Sequence, residues 1–197
     1  MKSIKHLFSL LLIVWSLPSA AQTPKLAVAV PANLKGFIPK GYIALSLTKG
    51  NLNRDTYPDV AMVLYKKGEE KTSDVINHPE KRPLLLFLGR ANETYKLAAR
   101  SDNAVYYVDC GGQMGDPFTG VTIKNGYFSV EHYGGAAQRW SRIVTFKYAP
   151  ADLGWFLHKD GHEYFDATNP DKVTSDIETV KNFGKVPFAK FNIYKEK

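Results

Sequence analysis

The stretch VTIKNGYFSVEHYGGAAQRWSRIVTFKY, residues 121–148, decides the fold. Lys124-Asn125-Gly126 separates two runs of β-forming residues, and Asn-Gly is the strongest short hairpin signal because both residues tolerate a positive φ. Gly134-Gly135 then turns the chain into a third run, Trp140 to Tyr148. That run places alternate residues on one face, namely Arg142, Val144, Phe146 and Tyr148. The stretch therefore predicts three consecutive antiparallel strands.

The chain on either side of this stretch reads as further short strands. The first half has four β-type runs, Gly41–Leu47, Val60–Tyr65, Pro83–Gly89 and Tyr95–Arg100. A charged, exposed loop is expected at Lys66–Arg82, and a hairpin turn at Lys159-Asp160-Gly161. The run from Phe188 to Tyr194 is also β-like, and no segment has helical periodicity beyond two turns. The predicted fold class is mainly β, with antiparallel strands and hairpins, propeller-blade-like or sandwich-like, and little helix.

The N-terminus carries the three parts of a secretory signal peptide. A basic start is followed by an apolar run, Leu7–Leu17, that is too short to span a bilayer, and by a small-x-small site that ends at Ala21. We therefore expect a signal peptide over residues 1–21, an N-terminal tether over 22–36 and a single β-rich domain over 37–197. Because no Cys lies near the cleavage point, the exported protein should be periplasmic or secreted and not lipid-anchored, with no membrane span.

Composition narrows the class of partner. The chain has 26 Lys+Arg against 19 Asp+Glu, and 20 of the 26 are lysines. The basic residues are scattered, without the clustered arginines and interleaved aromatics of a nucleic-acid surface, so no nucleic-acid partner is expected. The single Cys, Cys110, cannot form an internal disulfide, so the fold depends on its core.

The loop at residues 51–59 has the spacing of a calcium site. Oxygen-bearing side chains occupy its first, third, fifth and ninth places, and the backbone carbonyl of Tyr57 occupies the seventh. Calcium binds six to eight such oxygens. The predicted ligands are Asn51, Asn53, Asp55, Tyr57 and Asp59.

The sequence around this loop, GNLNRDTYPDVAMVL at residues 50–64, resembles the Gly-Asp-Leu-Asn-x-Asp-Gly-x-x-Asp loop of integrin-like FG-GAP repeat proteins. The resemblance extends to GRANETYKLA at 89–98 and to residues 134–148, which are similar to a segment of uncharacterised exported bacterial proteins with a single such loop. It implies a calcium-binding connection between two strands of a propeller blade. The motif occurs once, whereas a full propeller needs several copies.

Two departures from the family pattern weaken the implied site. Asn51 stands where the family has Asp, and Thr56 stands where it has Gly. Lys49 and Arg54 add positive charge, so calcium affinity should be low. The alternative is a degenerate strand connection in which Asn and Asp side chains accept backbone N–H groups as Asx turns.

A second loop, Asp109–Thr119, is rich in glycine and polar residues and is the kind of segment that carries function. The candidate binding residues around it are Asp109, Asp116, Arg139 and Trp140. Since no catalytic signature is present, the leading hypothesis is an exported module that binds a protein or glycan at the cell envelope. The alternative is a small periplasmic hydrolase near the 109–119 loop, using its carboxylates or Cys110 with His132 as base.

Overall fold

Two antiparallel sheets, each built from consecutive hairpins, make up about half of residues 28–195, which are the residues that this computed structural model describes. The mainly antiparallel β prediction is confirmed, and the two packed sheets are sandwich-like. The predicted signal peptide, residues 1–21, and residues 22–27 of the expected tether lie outside the described residues. Among the helices of residues 28–195, none is long and apolar enough to cross a membrane.

Within residues 28–195, nine strands follow one another in sheet order. The first sheet contains β1 (Tyr42–Gly50), β2 (Asp59–Lys66), β3 (Leu84–Gly89) and β4 (Tyr95–Ser101). The second contains β5 (Phe118–Lys124), β6 (Tyr127–Gly135), β7 (Gln138–Ala149), β8 (Gly154–Asp166) and β9 (Asn169–Thr179). The α-helices are single turns, α1 (Ala32–Lys35), α2 (Glu69–Thr72) and α3 (Val180–Phe183). Short 3-10 segments lie at Ala91–Glu93, Val108–Met114, Pro150–Asp152 and Phe188–Lys190.

The two central strands of the first sheet, β2 and β3, are buried on both faces, as the continuous apolar run of β3 predicts. One face, with Val63 and Leu86, packs against the inner residues of the second sheet, among them Val144. The other face, with Met62, is covered by residues 28–38. Leu34 is completely buried there, so the described part of the expected tether belongs to the folded domain.

The predicted hairpin at Lys159-Asp160-Gly161 is wrong, because β8 runs straight through these residues. Asp160 is completely buried and accepts two hydrogen bonds from Arg142 of β7, Nε to Oδ1 at 3.0 Å and Nη2 to Oδ2 at 2.8 Å. Arg142 points into the sandwich and needs a buried counter-ion, so this tertiary ion pair overrides the turn preference of Asp-Gly. The chain turns instead at Ala167-Thr168.

Two more segments differ from expectation. The Lys66–Arg82 connection is not simply exposed, since Arg82 and Glu69 are both buried and form an ion pair. The β-like run at 188–194 forms a short 3-10 turn after Pro187 and then an irregular tail. Phe188, Phe191 and Ile193 fill the core between the sheets without joining either one.

Candidate functional site

The 51–59 loop joins β1 to β2 and is curled by its own side chains. Asn51 Oδ1 accepts the Arg54 N–H at 2.5 Å, Asn53 Oδ1 accepts the Asp55 N–H at 3.1 Å, and Asp55 Oδ1 accepts the Tyr57 N–H at 2.8 Å. Arg54 has a φ of 68°, a left-handed conformation that is uncommon outside glycine. These hydrogen bonds form Asx turns, as expected if the loop is a degenerate strand connection.

Asp59 anchors the end of this loop inside the protein. The carboxylate is completely buried and accepts the N–H of Leu52 at 2.6 Å and the N–H of Gly89 at 2.9 Å. Burial raises the pKa of Asp59 above its usual value, while these two hydrogen bonds act in the opposite direction. The carboxylate thereby ties the 51–59 loop to the turn between β3 and β4.

The end of β3 approaches the 51–59 loop so closely that position 89 requires a glycine. A Cβ at Gly89 would lie 2.2 Å from the carbonyl oxygen of Pro58, far inside van der Waals contact. Gly89 is therefore fixed by the packing of the β3 end against the loop, and not by its φ angle.

The loop fits a weak calcium site at most. Its formal anions are Asp55 and Asp59, and Asp59 is buried with both oxygens engaged. Among residues 28–195, no group of three or more His, Cys, Asp or Glu side chains is arranged to hold a metal. The loop oxygens retain second lone pairs, so the hydrogen bonds compete with a cation without excluding one. The calcium interpretation stays a prediction.

A cleft of about 490 Å³ lies beside this loop, and we call it the loop-side cleft. It is bounded by the N-terminal segment, the end of β1, the 51–59 loop and the β3–β4 turn. Its polar and aromatic lining consists of Asn33, Lys49, Tyr57, Arg90, Asn92, Glu93, Thr94 and Tyr95. A volume of this size is in the range of small-molecule sites.

The β3–β4 turn that borders the loop-side cleft is held in an uncommon backbone conformation. Asn92 and Glu93 have φ of 63° and 55°. Asn tolerates this region, but Glu adopts it rarely. The Asn33 side chain donates to the Glu93 carbonyl at 2.7 Å and so attaches the turn to the N-terminal segment. Non-glycine residues in left-handed conformations are a recurrent feature of ligand sites.

The carboxylates predicted as binding residues near the 109–119 loop hold internal structure. Asp116 pairs with buried Arg82, Nη1 to Oδ1 at 2.6 Å and Nη2 to Oδ2 at 2.9 Å. Asp109 accepts the Val75 N–H at 2.8 Å and the Ser73 hydroxyl at 3.2 Å. Both side chains fix the preceding Lys66–Arg82 segment to the second half of the chain.

The two other predicted binding residues lie at the same end of the sandwich. Arg139 contacts the sulfur of Met114. The Trp140 ring packs on Gly134, where an added Cβ would lie 2.6 Å from the indole, and meets the edge of Tyr106 at 5.7 Å between centroids. The structure thus gathers the four predicted residues around the Val108–Met114 segment, with each of the four in contact with a neighbour of the fold.

Cys110 and His132 lack the protonation states of an activated thiol pair. Burial, aided by the charge of Asp109, raises the pKa of Cys110 to about 11. Burial, aided by the cations Arg142 and Arg82, lowers the pKa of His132 to about 3. His132 Nε2 accepts the Tyr106 N–H at 3.2 Å, and its Nδ1 has no hydrogen-bond partner among the described residues. A neutral thiol and a neutral imidazole make a poor nucleophilic system.

Sequence reasoning missed most of the loop-side cleft. It singled out Tyr57, but only for its carbonyl. The run Arg90–Tyr95 combines Arg, Asn, Glu and Tyr in a turn, and this composition was the feature of the sequence that could have indicated a binding site. Nothing in the sequence indicates that Asn33 reaches the same place. Comparison with known proteins adds no assignment: no family model, no curated protein and no solved structure matches the chain.

Proposed function

We propose that this protein is an exported β-rich binding module that takes a glycan with an anionic group in the loop-side cleft. The observation that carries the proposal is the cleft of about 490 Å³ where three separate segments meet at the 51–59 loop. In β proteins the loops commonly carry the binding function, and the sheets form the rigid scaffold that positions them.

The chemistry of the lining favours a sugar. Tyr57, whose exposed fraction is 42%, and Tyr95 offer aromatic rings with polar tips, which pack on the apolar faces of a sugar and also hydrogen-bond to it. Asn33 and Asn92 supply amide donors and acceptors for hydroxyl groups.

The charge of the lining favours an acid. Lys49 and Arg90 are cationic and Glu93 is anionic, so the loop-side cleft has an excess of one positive charge. The guanidinium of Arg90 can hold a carboxylate or sulfate with two parallel hydrogen bonds. A uronic acid, a sialic acid or a sulfated sugar matches this combination of rings, amides and cations.

Weak calcium binding by the 51–59 loop is the second part of the proposal. It is supported by the odd-position oxygens of Asn51, Asn53, Asp55 and Asp59 and by the carbonyl of Tyr57. Because Tyr57 also lines the loop-side cleft, calcium would stiffen one wall of the ligand site. With two carboxylates, the affinity expected is about millimolar, as in extracellular modules.

Binding to an array of acidic and neutral oligosaccharides tests the first part. We expect binding to acidic sugars only. Arg90→Gln should weaken it about tenfold or more, since a hydrogen bond to a charged group contributes about 1.5–3 kcal/mol. Tyr57→Ala should also weaken it, because it removes the ring that packs on the sugar. Arg100→Gln is the matched control, because Arg100 is paired with Asp102 and does not line the cleft. Binding that survives both cleft variants would remove the assignment.

Thermal melting in calcium tests the second part. We expect the melting temperature to rise at millimolar calcium in the wild type and to stay constant in Asp55→Asn, which loses one of the two loop carboxylates. Magnesium serves as the control cation, since it demands a tighter octahedral site. An unchanged melting temperature at about 10 mM calcium would contradict a site of even extracellular affinity.

A further inference from the structure

The last strand of the second sheet, β9, has an open edge. Eight of its 11 residues, Asn169 and Val173 to Thr179, pair with β8, and within residues 28–195 the other side of β9 carries no strand. Its residues are exposed, except Glu178 and Thr179, which are half-buried. A long exposed edge presents a row of backbone N–H and C=O groups that can pair with another chain.

The side chains of β9 alternate between two kinds of surface. On the outer face of the sheet lie Val173, Ser175 and Ile177, and the exposed fractions of Val173 and Ile177 are 47% and 55%. On the other face lie the charged and polar residues Lys172, Thr174, Asp176 and Glu178. Val173 pairs with Phe165 of β8, and Ile177 pairs with Gly161, whose partner on β7 is the exposed Ile143.

We propose that β9 pairs antiparallel with β9 of a second copy of this chain, with the two-fold axis at Ser175. In this register Val173 lies opposite Ile177 of the second copy, and Lys172 lies opposite Glu178 of the second copy. Thr174 lies opposite Asp176, which can accept its hydroxyl hydrogen bond. Each of these pairs occurs twice, because a two-fold interface uses the same patch on both copies.

The neighbouring registers lose the apolar pair. An axis at Thr174 retains one pair of opposite charge, Lys172 with Asp176, but sets Ile177 against Asp171, and an axis at Asp176 sets Val173 against Thr179. Apolar pairs and pairs of opposite charge stabilise facing positions of antiparallel strands, whereas mismatched positions do not. The strand is therefore complementary to itself at one register, and this singles out a second copy as the partner.

A disulfide experiment tests the register directly. In a Cys110→Ala background, Ser175→Cys places two thiols on the axis, where facing Cα atoms are about 4.5–5.5 Å apart. That separation is within the range that a disulfide bridges. Asp171→Cys is the control on the same strand, because its two copies are eight positions apart along the strands, about 27 Å.

We expect mild oxidation to give a covalent dimer with Ser175→Cys and none with Asp171→Cys. Sedimentation of the purified chain should show a concentration-dependent dimer that Val173→Asp weakens at least tenfold. Adding Ile177→Lys should restore the dimer, because the two new charges face each other across the axis. A chain that stays monomeric at every concentration overturns the proposal, as does equal crosslinking of both Cys variants. Ligand binding is a separate measurement and does not bear on this outcome.

Discussion

Asp59→Asn tests whether one carboxylate holds the 51–59 loop and the β3–β4 turn together. The wild-type side chain accepts two backbone N–H groups, from Leu52 at 2.6 Å and from Gly89 at 2.9 Å, in a completely buried position. An Asn side chain has one acceptor oxygen, so its NH₂ group must face one of these two donors. One N–H is then left buried without a partner.

The expected loss of unfolding free energy follows from that geometry. A hydrogen bond to a charged group contributes about 1.5–3 kcal/mol, and removing the buried charge returns part of its desolvation cost. We expect Asp59→Asn to lower the free energy of unfolding by about 2 kcal/mol at neutral pH. Asp55→Asn is the control: it makes the same chemical change on an exposed residue of the same loop, and the expected loss is under about 0.5 kcal/mol.

The pH dependence has a definite sign. Burial raises the pKa of Asp59 in the folded state above its value of 3.8 in the unfolded chain. The folded state therefore binds this proton more tightly, and the extra stability that comes from protonating Asp59 is fully present below pH 3.8 and is lost as pH rises through the folded pKa. The difference in the free energy of unfolding between wild type and Asp59→Asn should accordingly increase as the pH is lowered.

Urea unfolding followed by tryptophan fluorescence measures both effects. Trp155 donates its indole N–H to the Leu52 carbonyl at 2.9 Å, so its emission reports on the anchored end of the loop. Equal stability of Asp59→Asn and Asp55→Asn would refute the anchoring role. A difference between wild type and Asp59→Asn that narrows on acidification would refute the burial-dominated pKa shift.

Three further predictions concern the buried charges and the close contacts. Arg142→Met should lower the unfolding free energy by about 3–5 kcal/mol because it leaves Asp160 buried without its bidentate partner. The double variant Arg142→Met/Asp160→Leu should lose much less than the two single variants together, and additive losses in urea titrations would contradict this. Gly89→Ala should lower the melting temperature sharply, whereas Gly120→Ala, with nothing within 4 Å of the new Cβ, should not. The pKa of His132 is lowered to about 3 in the folded state, so the fold favours the neutral imidazole. Its contribution to the free energy of unfolding is full above the unfolded-state pKa near 6.5 and is lost as pH falls from there towards 3. His132→Gln should therefore flatten the fall in urea midpoint between pH 7 and pH 4, and an unchanged slope would count against a buried neutral imidazole.

The strands were predictable where side-chain alternation and turn chemistry agree. Asn125-Gly126 closes the β5–β6 hairpin with φ of 48° and 81°, as the dipeptide predicts. Asp160-Gly161 has the same kind of signal but lies inside a strand, because Asp160 is the counter-ion of Arg142 18 residues away. The turn propensity of a dipeptide depends on neighbouring residues only, so it gives no information about an ion-pair partner 18 residues away.

The site was less predictable than the strands for a similar reason. The Asn51–Asp59 spacing identified a curled, oxygen-rich loop, and the structure has one. The loop-side cleft depends on Asn33 meeting Glu93, a contact 60 residues apart that no pattern within the loop encodes. Asp116 looked available in the sequence because its partner Arg82 lies in a segment that reads as an exposed loop.

The two proposals combine into one further expectation about binding strength. The loop-side cleft is bounded by strands of the first sheet and the N-terminal segment, whereas β9 is the last strand of the second sheet. A dimer through β9 therefore leaves both clefts uncovered, and a repeating acidic polysaccharide could engage the two together. Linked sites gain about 10²–10⁴ in overall affinity when the geometry allows simultaneous contact. Val173→Asp should then leave the affinity for a short oligosaccharide unchanged and weaken retention on a polysaccharide-coated surface, whereas Tyr57→Ala should reduce both. Equal retention of the wild type and Val173→Asp would show that the two clefts do not act together.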